Sequence, residues 1–198
     1  MAKKSHYPSF DVMKERDEWD SHTQIIVTER LREETTWQAL QELELATLGA
    51  VCRLLVADER DNVISYILMH FDQIITSKIG EGQRKAGVPE EKTLIREGLQ
   101  QLDNKARNEH GAPFDQLKGA QQSEILERLS EGKLQLSPEW TALKQKGLFK
   151  KLLGTAIDAY CSHPDIWSEI GYAGPAYPRG YVRGDIGQLD PWEAKTEA

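Results

Sequence analysis

Apolar residues recur at three- and four-residue spacing almost everywhere in this chain, and no segment alternates strictly between apolar and polar positions. A strand with one solvated face needs that alternation, whereas an amphipathic helix needs the longer period. The pattern therefore predicts an all-α fold. Its clearest stripe is Ile64, Ile67, Leu68, Phe71, Ile74 and Ile75, with Asp61 or Asn62 placed to cap the start. Leu45, Leu48, Cys52, Leu55 and Val56 mark an earlier helix with Glu42 and Glu44 in its first turn, and the acidic break at residues 57–61 reads as the turn between the two.

A third helix is expected after Pro89, with Glu90 and Glu91 near its positive end and Leu94, Ile95, Leu99 and Leu102 on one face. Gly98 argues against it locally, because glycine costs about 1 kcal/mol relative to alanine inside a helix. A shorter helix spans residues 121–130 and stops before Gly132. Ser137 as N-cap and Pro138 in the first position predict the start of the last long helix. That helix is expected to break near Gly147, to resume through Phe149, Leu152, Leu153, Ala156, Ile157 and Tyr160, and to end at His163-Pro164. With a short helix over residues 23–31, the expectation is a single domain over residues 1–198. It has about five to six helices and extended N- and C-terminal arms.

The chain has 198 residues and a net charge of −7, enough length for a sizeable core without metals or disulfides. The charge is spread along the sequence and argues against nucleic acid and against anionic lipid as partners. Direct membrane insertion is not expected: the most apolar stretches, residues 48–57 and 63–71, fall well short of the ~20 residues a spanning helix requires, and Arg53 interrupts the first. The first residues carry two lysines but no apolar run and no paired arginines, so as encoded the chain is expected in the cytoplasm. Co-export with a signal-bearing partner stays open.

Chemistry is sparse. There is no G-x-G-x-x-G after a strand, no P-loop, no H-E-x-x-H, no G-x-S-x-G and no C-x-x-C-H. No two of the five histidines stand at three- or four-residue spacing. His70 reads as a structural histidine on a helix flank. His163 with Asp165 could in principle make an acid–base pair, but beside a proline a capping role is favoured. Cys52 and Cys161 both read as buried free thiols on apolar helical positions, although Cys161 at a helix end is also the candidate for an interchain disulfide. No catalytic, cofactor-binding or metal-ligating residue is assigned.

The last stretch, from Gly171 onward, combines glycines and prolines with Tyr172, Tyr177, Tyr181 and Trp192. Disordered tails are usually poor in aromatics, so this arm is expected to pack on something, either a partner or its own domain. Two stretches carry a family resemblance. One is Trp19-Asp20-Ser21-His22-Thr23 with Val27 and Arg30-Leu31. The other, more specific, runs Tyr160-Cys161-Ser162-His163-Pro164-Asp165-Ile166-Trp167-Ser168-Glu169-Ile170-Gly171-Tyr172 and on through Gly174-Pro175-Ala176-Tyr177-Pro178-Arg179-Gly180-Tyr181-Val182-Arg183. Over residues 7–184, with 185–198 as a tail, the chain resembles the gluconate 2-dehydrogenase subunit 3 family, the small or gamma subunit.

That resemblance implies a non-catalytic small subunit. It would bind and stabilise a large FAD-dependent dehydrogenase of the glucose–methanol–choline type, and assist its folding or export. The large subunit would act on gluconate, sugars or polyols, and some complexes would add a cytochrome c subunit. No cofactor is expected in this chain, and FAD is expected in the partner. Many members begin with a twin-arginine signal, and this sequence departs from them there. Trp167, Tyr172, Tyr177, Arg179, Tyr181 and Arg183 are residue types enriched at interface hot spots, and make the candidate partner surface. The competing reading places Trp167 and Tyr172 in the core. An independent helical binding module, or an enzyme built on the His163 region, are the alternative functions.

Overall fold

The computed structural model describes residues 5–32, 36–77, 79 and 84–196. Among them every regular element is helical, as the periodicity predicts. The chain forms two compact units: one from Glu34–Ala159, the other from Met1–Glu33 together with Tyr160–Ala198.

The contiguous unit is built on α2 (Glu42–Val56), which packs against α3 (Asp61–Thr76), α4 (Glu91–His110), α5 (Gly119–Glu131) and a 3-10 turn at Phe114–Gln116. Its core is mostly aliphatic, with Phe71 among its aromatic members: Leu48, Ile67, Phe71, Leu94, Leu99, Leu102, Ile125 and Leu129 are all sealed from solvent. Each such side chain contributes about 1.5–3 kcal/mol by leaving water. The last long helix, α6 (Ala142–Tyr160), adds Leu148 and Leu152. Gly98, the residue that argues against α4, is where Leu148 of α6 packs tightly: a Cβ there would stand 2.7 Å from Leu148 Cδ1. The glycine is a packing requirement, and the buried face outweighs its poor propensity.

Four local expectations are corrected. Ser137 does not cap α6; its carbonyl accepts from Trp140 N–H in a turn, and the helix starts at Ala142, where Thr141 accepts from Gln145 N–H (3.0 Å). Buried Gln145 explains the delay, because its amide holds Leu134 N–H and C=O and the carbonyl of Trp140 at 2.8–3.0 Å, tucking Trp140 inside. The helix also runs unbroken through Gly147, whose cost of about 1 kcal/mol is small beside its buried leucines. And α6 ends at Tyr160, three residues before His163-Pro164, so that proline opens a further helix, α7 (Pro164–Ile170), instead of closing this one. At the start of α3, Asp61 lies inside the first turn and pairs with Arg53 at 2.6 Å, while Arg60 occupies the cap position.

A carboxylate that periodicity could not single out ties the unit's first residues down. Asp72, buried on α3, accepts three backbone N–H bonds, from Gln38 (2.9 Å), Ala39 (2.9 Å) and Leu40 (2.8 Å). Arg96 of α4 donates to Ala39 C=O from the same side. Burial alone would raise the Asp72 pKa, but the three N–H bonds and the nearby guanidinium outweigh it and hold the carboxyl below its ordinary value.

Between α2 and α3 the chain turns through Ala57 at φ 53°, the left-handed region that favours glycine. Ala57→Gly is therefore expected to stabilise the protein by about 0.5–1 kcal/mol, the left-handed strain relieved less the extra unfolded-state entropy of glycine. A higher thermal midpoint by circular dichroism checks it; an unchanged or lower midpoint contradicts it.

The other unit joins both ends of the chain. Asp11 caps a 3-10 helix, Val12–Glu18, and Asp20 caps α1 (Ser21–Glu29) by accepting from His22 N–H (2.9 Å) and Thr23 N–H (3.2 Å). Val12, Trp19 and Val27 form one small core with Trp167 of α7, flanked by Phe10 and Met13. Val12 N–H donates to Ser168 Oγ (3.1 Å), and Ser5 Oγ donates to Glu169 C=O (2.7 Å). The N-terminal stretch expected as an extended arm is thus part of this core.

Candidate functional site

His163 sets the orientation of everything that follows it. It is buried, and its Nδ1 accepts from Asp165 N–H at 3.2 Å, capping α7 with Pro164 in the first position. The favoured capping role is thus the one observed, at the start of α7. Within α7, Trp167 turns inward and its Nε1–H donates to Cys161 C=O at 2.7 Å. Arg30 lies over its ring at 5.2 Å and donates to Ser162 C=O. Tyr172 meets the same indole edge-on at 5.4 Å. Trp167 is therefore a core residue that supports the segment from beneath, while Tyr172 stays 42% exposed.

Past Gly171 the chain leaves the core at Gly174, where φ is 79° and an added Cβ would stand 2.6 Å from Trp19 Cζ2. Only glycine passes the indole there. The arm beyond is pinned at two points. Arg179 lies over the Trp192 ring at 4.6 Å and donates to Ala173 C=O; burial lowers its pKa against the opposing fields of Glu15, Glu18, Tyr172 and Asp190, and a guanidinium stays charged regardless. Asp190, buried, accepts from Val182 N–H (2.7 Å) and Arg183 N–H (2.8 Å) on one oxygen.

Between these pins the side chains point outward. Tyr177 is 71% and Tyr181 65% exposed, with Arg183 stacked over Tyr181 at 5.6 Å, and Val182, Ile186 and Leu189 are exposed beside them. Among the described residues, the buried side-chain polar atoms without a hydrogen-bond partner include Arg179 Nε and Nη1 and Asp190 Oδ2, all on this arm, and Trp19 Nε1 beneath it. Buried polar groups are nearly always paired, so these four atoms are exceptions inside the arm and its support, sealed from solvent.

The structure brings Trp167 with Tyr172 and Arg183 with Tyr181, sets Arg179 against Trp192, and leaves Tyr177 outward. Asp190 was not among the expected residues; an acidic residue in a glycine-rich tail carries no periodic signal. The thiols separate. Cys52 is buried as expected, and desolvation pushes its pKa up to about 12, which leaves it inert. Cys161 is exposed, contrary to the expectation of burial, because α6 has ended one residue earlier.

Among the described residues no group of three His, Cys, Asp or Glu side chains is arranged to hold a metal ion, and no helix is long and apolar enough to cross a membrane. No curated protein and no solved structure matches the chain. A family described as Gluconate 2-dehydrogenase subunit 3 matches residues 42–174. The match covers α2 through α7 and reaches Gly174, where the chain passes Trp19. With more than half of the sequence matched, the chain belongs to the gluconate 2-dehydrogenase subunit 3 family.

Proposed function

We propose that this chain is the non-catalytic small subunit of a dehydrogenase complex. In this reading it binds and stabilises a large FAD-dependent subunit of the glucose–methanol–choline type that oxidises gluconate, a sugar or a polyol. Family membership supports the role of a subunit. The observation that carries the docking assignment is the arm over residues 172–190, which presents Tyr172, Tyr177, Tyr181, Val182, Ile186 and Leu189 to solvent while Arg179 and Asp190 hold it in shape. Exposed aromatics on a backbone fixed from behind lose little entropy on binding, which is what an interface anchor requires.

Co-expression with a large flavoprotein encoded beside this chain tests the reading. A tag on this chain is expected to retain the large subunit, with a flavin spectrum in the pair and a colourless, dehydrogenase-inactive small chain when purified alone. Stoichiometric flavin or haem in the isolated chain would overturn the non-catalytic assignment. Failure to retain the flavoprotein would leave an independent helical binding module as the reading.

A further inference from the structure

The contiguous unit carries a second feature, independent of the arm and of the identity of any flavoprotein. A cleft of about 800 Å³ opens between residues 84–94 and the side of α6. Arg84, Lys85, Lys146, Lys150 and Lys151 line it, against two acidic residues, Glu91 and Asp158. Lys151 pairs with Glu91 at 3.2 Å, whereas Lys85, Lys146 and Lys150 stand exposed on the rim. In a chain of net charge −7 this is a local reversal of sign. Its floor is apolar, from Val88, Leu94 and Leu143.

We propose that this cleft binds an acidic peptide segment of a partner protein, with apolar side chains on the floor and carboxylates on the lysine rim. Shape argues for a peptide over a compact metabolite. From Leu143 to Asp158 the lining follows α6, a run of about 22 Å at the helical rise, and Gly147 and Gly154 keep that face low; a Cβ at Gly154 would meet nothing within 4 Å. Rim lysines are hydrated point charges that attract carboxylates without fixing their geometry, which suits a run of acidic side chains. Asp158 lies at the far end of the trough, so the acidic residues of the occupant belong at the Lys146–Lys150 end. The acidic remainder of the surface disfavours a nucleic acid or a flat anionic bilayer, which would have to approach it as well.

The test is fluorescence anisotropy on the full chain with a fluorescein-labelled amphipathic peptide of glutamate and leucine, about fourteen residues long so that a helix would span ~21 Å. A lysine–leucine peptide of equal length is the control. The wild type is expected to bind the acidic peptide at least tenfold more tightly than the basic one, with affinity falling as salt rises. Lys146→Glu with Lys150→Glu is expected to weaken binding tenfold or more, whereas Lys14→Glu with Lys195→Glu, equal in charge change but not lining the cleft, leaves it within twofold. Gly154→Leu fills the trough without changing charge and is expected to weaken binding likewise, with circular dichroism confirming that each variant is folded. The proposal is overturned if both cleft variants bind as wild type, if the basic peptide binds equally well, or if equimolar pyrophosphate displaces the peptide, which would make the cleft a small-anion site.

Discussion

Alanine at Tyr177 and Tyr181 together is expected to weaken association with the large flavin subunit about a thousandfold, since a hot-spot side chain is worth roughly 2 kcal/mol and each ~1.4 kcal/mol is a factor of ten. Both rings are mostly exposed, so their loss leaves the small core under α7 untouched. Arg179→Ala is the poorer probe, because that guanidinium packs on Trp192 and donates to Ala173 C=O, and its removal would disturb the arm itself. Biolayer interferometry against the immobilised large subunit reads the affinity, and circular dichroism reads the fold. A folded double variant that binds at wild-type strength removes the arm from the interface.

The largest stability effect is expected at Asp72. Asp72→Ala strands three backbone N–H groups beside an arginine, and hydrogen bonds to a charged group contribute about 1.5–3 kcal/mol each, with incomplete additivity. A loss on the order of 4 kcal/mol follows, a large share of the roughly 5–15 kcal/mol that holds a domain together. Urea denaturation at neutral pH measures it, and a loss under about 1 kcal/mol would show the three bonds to be replaceable by water. The pH dependence has a definite sign. Because the folded pKa lies below the ordinary value, the contribution is complete above the unfolded value of about 3.9 and is lost as pH falls through the folded one. The gap between wild type and Asp72→Asn should therefore close on acidification below about pH 4 and stay constant above it.

The helical class and most of the contiguous unit were legible because long amphipathic stripes leave no other burial solution; the stripe from Ile64 to Ile75 lies within α3, which starts three residues earlier and ends one later. Boundaries failed where a side chain further along decided them, or where one local signal fits two roles. Ser137-Pro138 has every local mark of a helix start, yet the side chain of Gln145, eight positions on, holds the chain in a turn until Thr141. His163-Pro164 has the local mark of a stop because proline constrains the residue before it, but the same constraint suits an N-cap, and α7 begins there. At the arm, residue type pointed to Tyr177, Tyr181 and Arg183, which are exposed. It could not separate them from Trp167, whose fate depends on Val12 and Trp19 arriving from the other end of the chain. Asp72 and Asp190 were invisible for one reason: a carboxylate that binds backbone N–H groups needs partners of no particular sequence.

That joining of the two ends has a consequence for the order of events during synthesis. The unit from Glu34–Ala159 is continuous in sequence, so every contact it needs has left the ribosome once residue 159 is clear. The other unit cannot close until α7 follows, because Val12, Trp19 and Val27 wait for Trp167. For that interval the N-terminal indole lacks Trp167, and loop closure over so many residues adds an entropic delay of its own. The arm that carries the exposed tyrosines follows Trp167 in sequence and is made later still. A chain able to present that arm in its pinned form has therefore already made every residue of the small core that Trp167 completes, so the pinned arm is an outward sign that this core can close.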